Sequence, residues 1–122
     1  MLLSSNSDSI EVHASCVAKD GAAILFIGPA GSGKSTRCYQ LIAQGYALVA
    51  DDIVRIDHDN ICSAGEKSKG LMHLRDKGFL QISADQICTS AKLSQIICLD
   101  KNHKAVTIDI ATFRQQLKDQ ND

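Results

Sequence analysis

An α/β domain with a mixed β-sheet, built around a phosphate loop of the P-loop (Walker A) type, is the fold class this sequence predicts. Three observations predict it. The apolar run "AAILFIG" leads straight into "GPAGSGKST"; good helix formers follow from Lys34 to about Ala43; and a second apolar run, "YALVA", ends in two aspartates. Strand, helix and strand in the first half, followed by a strand-rich remainder, give an α/β chain.

Taken in order, residues 1–9 are polar and are expected to be a flexible N-terminus, with a single domain over 10–122. "IEVHASCVAKDG" alternates well enough for one strand ending at the turn signal Asp20-Gly21, and "AAILFIG" reads as a buried strand, so the two form an antiparallel hairpin. The helix from Lys34 carries Leu41 and Ile42 on its inner face, and Gly45 stands where a helix stop belongs. "YALVADD" is the next strand. "IVRID" and "NICSA" read as short strands around a turn at 57–60, "GFLQIS" and "QIICLD" as further strands, and "ATFRQQLKDQ" as a closing helix. "GEKSKG", 65–70, reads as a polar, mobile loop.

Composition removes several function classes. Of the 122 residues 44% are hydrophobic and 22% charged, an ordinary balance for a soluble globular chain, and a formal net charge of −1 offers no field to attract nucleic acid or a membrane surface. Five cysteines, an odd number without a C-x-x-C pair, fit neither a disulfide framework nor a zinc site; they read as reduced residues of a cytoplasmic protein. Neither a signal peptide nor a membrane span is apparent.

The chemistry-bearing segment runs through Gly28, Pro29, Ala30, Gly31, Ser32, Gly33, Lys34, Ser35 and Thr36, which match G-x-x-x-x-G-K-[ST] in full. Glycines let backbone N–H groups turn inward as an anion nest, and the following helix adds its positive end. Lys34 is placed to bridge β- and γ-phosphoryl oxygens, and the Ser35 hydroxyl to meet Mg²⁺. A βαβ connection points both strand ends the same way, so Asp51 and Asp52 fall on the rim that holds the loop. There one carboxylate can hold Mg²⁺ and the other accept a proton; the alternative is an acidic turn that only closes a strand. His13, as a lone strand histidine, reads first as a satisfied structural residue. His58 and His103 read as exposed, and Arg37 and Arg55 as surface or substrate-steering charges.

Residues 12–54, "VHASCVAKDGAAILFIGPAGSGKSTRCYQLIAQGYALVADDIV", closely resemble the catalytic domain of the HPr kinase/phosphorylase family. A histidine one strand before the loop, the loop itself and "GYALVADD" carry the resemblance, and "LMHLRDKGFLQI" looks like that family's signature segment. The resemblance implies a P-loop kinase-like domain of the HPr kinase C-terminal type, which uses ATP and Mg²⁺ to phosphorylate a serine of the phosphocarrier protein HPr and often reverses the reaction by phosphorolysis. It implies Asp52 as proton acceptor, Ser35 at the metal, Asp51 supporting the metal or orienting its neighbour, His13 stabilising Asp52 or the transferring phosphoryl group, Arg75 among the catalytic residues, and a homo-oligomer with a hexamer as the candidate count. The chain departs from the family at His73, where a metal-binding glutamate is usual, and at Asp76, which replaces a glycine. The chain is expected to stand without the family's N-terminal regulatory domain and without the C-terminal arginine and helices of longer members. A nucleotide-binding regulatory module without transfer, and a small-molecule kinase, are the competing readings.

Overall fold

The computed structural model describes residues 2–5, 9–64, 70–74 and 77–121. The apolar run after the Asp20-Gly21 turn forms β4 (Ala22–Ile27), paired antiparallel with β3 (Ser15–Lys19) as the hairpin reading expects. Ala23, Leu25 and Ile27 pack on one face of the sheet, and Ile24 and Phe26 on the other. A strand covered on both faces reads as a continuous apolar run. The loop after β4 opens into α1 (Lys34–Ile42), which buries Cys38 and Ile42, with Leu41 only half-buried. Gly45, at φ +102°, ends the helix: its N–H donates to the Ile42 carbonyl, and that of Tyr46 to the Leu41 carbonyl, the paired bonds of a Schellman stop.

The chain returns as β5 (Ala47–Ala50), which also pairs antiparallel with β3. β4 and β5 are therefore parallel with β3 inserted between them, and both C-terminal ends reach one rim. β6 (Ile53–Asp57) and β7 (Ile61–Ala64) flank the expected turn, and β2 (Ser9–His13) pairs with β6. The single strand expected over 10–21 is thus two, broken at Ala14. The register runs on across the break, with His13 opposite Ile53 on one side and Cys16 opposite Ala50 on the other. The interruption has a local cause: the Ile53 N–H donates to the Asp51 carbonyl, closing a three-residue turn on Asp52 at φ +73°.

The strand read at "QIICLD" is longer than expected. β10 (Ser90–Leu99) lies parallel to β4, its start pairs with β7 and its end with β11 (Ala105–Ile108). Among the described residues the main sheet runs β1-β2-β6-β7-β10-β4-β3-β5, with β11 beside β10. Its first member, β1 (Leu2–Ser5), pairs with β2, so these four residues belong to the sheet where a flexible tail was expected. β8 (Leu71–Leu74) and β9 (Gly78–Gln81) form a separate hairpin over α1. The loop read at 65–70 lies outside the described residues apart from Gly70.

α2 (Ile110–Asn121) starts one residue before the expected helix. The Asp109 carboxylate accepts from the Thr112 N–H at 2.6 Å, a cap that holds this carboxyl below its usual range. Phe113 and Leu117 bury against the sheet face opposite α1, and Arg114 donates to Asn60 Oδ1 and the Asp57 carbonyl, tying α2 to the β6–β7 turn. All five cysteines are free; Cys16, Cys38 and Cys62 are buried, and burial pushes the Cys38 thiol up. Among the described residues no helix is long and apolar enough to cross a membrane.

Candidate functional site

The loop between β4 and α1 is shaped by glycines at φ +152° (Gly28), +82° (Gly31) and +97° (Gly33, the residue before the helix). At Gly28 the requirement is steric as well as torsional: an added Cβ would lie 2.4 Å from the Leu99 carbonyl oxygen and 2.8 Å from Ser32 Oγ. Backbone cannot move aside as a flexible side chain does. Gly28→Ala is expected to lower unfolding free energy by roughly 3 kcal/mol, measured by urea titration; an unchanged midpoint would refute the close approach of β10 to the loop.

Lys34 lies inside this curl. Its Nζ donates to the carbonyls of Gly28 (2.8 Å) and Pro29 (3.1 Å), and the residue is 7% exposed. Burial lowers the ammonium pKa from its ordinary value, while Asp51 and Asp52 act in the opposite sense. A poorly solvated cation surrounded by positive-φ glycines is a place where an anion replaces carbonyl partners at small cost. Ser32 Oγ is buried in the same loop with no hydrogen-bond partner among the described residues.

The two aspartates divide sharply. Asp51 is buried at 3% exposure; its Oδ1 accepts from Ser15 Oγ–H (2.5 Å) and Ser35 Oγ–H (2.8 Å), and its Oδ2 from the His73 N–H (3.0 Å). The Asp52 side chain is 70% exposed, and its Oδ1 accepts from His13 Nε2–H at 2.9 Å. This bond fixes the histidine proton on Nε2, because an ionised carboxylate only accepts. Among the described residues Asp52 Oδ2 has no protein donor. Both pairs arise at the interrupted ladder: Ser15 and Asp51, and Ala14 and Asp52, face each other across it, with the Ala14 N–H bonded to the Asp52 carbonyl.

A cavity of about 780 Å³ joins these groups, lined by the loop together with His13, Asp51, Asp52, His73, Phe79 and His103. The structure thus brings together His13, Lys34, Ser35, Asp51 and Asp52, and with them Ala30, Gly31, Gly33 and Thr36. Gly28 and Pro29 hold the loop's entry from behind. Arg75 lies outside the described residues, as does Asp76. The His73 ring stacks on Phe79, centroids 4.6 Å apart and planes at 27°, so its contact with Asp51 comes from the backbone and not the imidazole. His103 is exposed, as the sequence reading expects, and its ring also borders the cavity. Its neighbours in "KNHK" carry no signal for this, which comes from the parallel pairing of β10 with β4.

Ser35 Oγ and Asp51 Oδ1 offer hard oxygen ligands 2.8 Å apart, with Asp52 on the same rim. That donor set fits Mg²⁺, which commonly takes one or two carboxylates and completes its shell with water and substrate phosphates. Among the described residues no group of three or more His, Cys, Asp or Glu could hold an ion unaided.

Residues 4–122 match the family model for the HPr serine kinase C-terminal domain. The chain belongs to that family. Among curated relatives of the HPr kinase family, the HPr kinase/phosphorylase of Clostridium kluyveri is 31% identical over 101 residues, 73% of this chain and 33% of that protein. The HPr kinase/phosphorylase of Lactobacillus johnsonii is 29% identical over 116 residues, 88% of this chain and 36% of that protein. The chain therefore spans about a third of the length of these relatives. A solved HPr(Ser) kinase/phosphatase from Coxiella burnetii superposes with a TM-score of 0.66 over 72% of this chain and 63% of that one, at 24% identity. At that identity the likeness establishes the fold, that of an HPr kinase C-terminal domain with a mixed sheet.

Proposed function

We propose that this chain transfers the γ-phosphoryl group of ATP, in a Mg²⁺-dependent reaction, to a serine hydroxyl of a protein, and that HPr is the protein. The observation that carries the reading is the rim on which a lysine-bearing glycine loop and an exposed, histidine-held carboxylate face one cavity. The loop amides and Lys34 bind and orient the triphosphate. Ser35 and Asp51 would hold Mg²⁺, which when bound would supply neutralisation of charge on the phosphates. His13 engages Asp52 Oδ1, leaving Oδ2 to accept the seryl proton as the new O–P bond forms and the bond to ADP breaks. In phosphorolysis Asp52 returns that proton. A cytoplasmic homo-oligomer is the setting the reading carries with it.

Family membership supports the donor and acceptor classes, and the carboxylate geometry supports the direction of proton transfer. Intact-mass measurement of HPr after incubation with the chain, ATP and Mg²⁺ tests the proposal; the expected product carries one added phosphoryl group. His73, an imidazole where the family usually has a glutamate, favours a second reading: a nucleotide-binding module that does not transfer. Nucleotide binding with unmodified HPr would select that one.

A further inference from the structure

The parallel pairing of β10 with β4 has a geometric result on the far side of the loop from Asp52. Cys98 stands opposite Ile27, so the turn after β10 emerges level with the glycine loop. Open α/β sheets bind ligands in the crevice beyond the carboxyl ends of neighbouring parallel strands, and this is such a crevice.

The turn is firmly built. The His103 N–H donates to the Asp100 carbonyl and the Asp100 N–H to the Lys104 carbonyl, while Asp100 Oδ1 accepts from the N–H groups of Asn102 and Lys104. It is a three-residue hairpin loop whose last residue takes the left-handed conformation, a position where glycine is the ordinary choice. Here it is His103, at φ +67°. Arg37, from the first turn of α1, donates to the His103 carbonyl at 3.1 Å.

The imidazole lies against Gly33, where an added Cβ would meet its Nδ1 at 3.2 Å. Nδ1 is 2.9 Å from the Ser32 carbonyl oxygen. A carbonyl only accepts, so Nδ1 carries the proton, and in the neutral ring Nε2 is left as an acceptor. Among the described residues Nε2 has no protein partner, and the ring borders the cavity.

We propose that His103 is a nucleoside-recognition residue, whose Nε2 accepts a hydrogen bond from a donor on the nucleoside of the bound triphosphate. The inference rests on the nucleotide reading above. The triphosphate enters the loop with its transferable end toward Asp52, so its nucleoside leaves on the side of Thr36 and His103. Two donors share the required chemistry, a ribose hydroxyl and the exocyclic amine of the base.

The test uses the full chain and the variant His103→Gly, which accommodates the left-handed backbone and so leaves the turn intact. Calorimetric affinities are measured for ATP, 2′-deoxy-ATP, 3′-deoxy-ATP, ITP and inorganic tripolyphosphate, each with Mg²⁺. The expected result is a loss of about fivefold in ATP affinity, the size of one hydrogen bond, with tripolyphosphate affinity unchanged. In the unsubstituted chain one analogue, deoxy or inosine, shows the same loss and so names the donor; that analogue binds the variant as ATP does. Equal loss for ATP and tripolyphosphate would show that His103 only supports the loop and would overturn the proposal, as would ATP affinity that His103→Gly leaves untouched. If tripolyphosphate and ATP both fail to bind the unsubstituted chain, the nucleotide reading itself falls, a result distinct from either of these.

Discussion

Asp52→Asn is expected to reduce phosphoryl transfer to HPr by about three orders of magnitude while leaving nucleotide affinity and stability nearly unchanged. The rate effect is that of removing a positioned general base, typically 10²–10⁴-fold. An amide cannot take the seryl proton, and the other groups facing the phosphates keep their places. Stability is spared because the Asp52 side chain is 70% exposed, and because asparagine tolerates the φ of +73° that this position demands. The interrupted ladder therefore persists. Initial rates of HPr phosphorylation, set beside calorimetric ATP affinity and a urea midpoint, separate the three effects. Transfer at the unsubstituted rate would remove Asp52 from the chemistry, and a large drop in midpoint would mean that its role is structural.

Its neighbour should behave in the opposite way. Asp51→Ala is expected to lower unfolding free energy by roughly 3 kcal/mol and to abolish Mg²⁺-dependent transfer. The carboxylate accepts from Ser15, Ser35 and the backbone of His73, and it is almost wholly buried. Truncation strands the buried Ser15 hydroxyl at a cost of about 1–3 kcal/mol and removes the part-buried bonds from Ser35 and the His73 N–H. It also frees the β8–β9 hairpin from one of its ties to the sheet and removes an attraction that raises the Lys34 ammonium pKa against the effect of burial. A urea titration compared with that of Asp52→Asn gives the contrast directly. Equal midpoints for the two variants would contradict the buried and exposed assignment.

Much of this was legible in the chain itself. The loop is readable because its requirements are local: glycines where φ is positive, an apolar run before, helix formers after, and Gly45 to stop the helix. The parallel direction of β4 and β5 followed from the helix between them, which carries the chain back along the sheet before the second strand begins. β1 was missed because "LLSS" has too few residues for a pattern, and it becomes a strand only through its pairing with β2. The break at Ala14 was missed because alternation continues through it.

The amino-acid sequence by itself determined the glycine loop, the lysine within it, the pair of aspartates one helix later and the family. Only the tertiary structure decided that Asp51 is buried and Asp52 exposed, that His13 holds Asp52 and that His103 reaches the loop. The reason is that local torsion and periodicity act over a few residues and leave a direct trace in composition. Which side chains meet across the sheet depends instead on pairing between strands far apart in the chain, and on one three-residue turn that interrupts it.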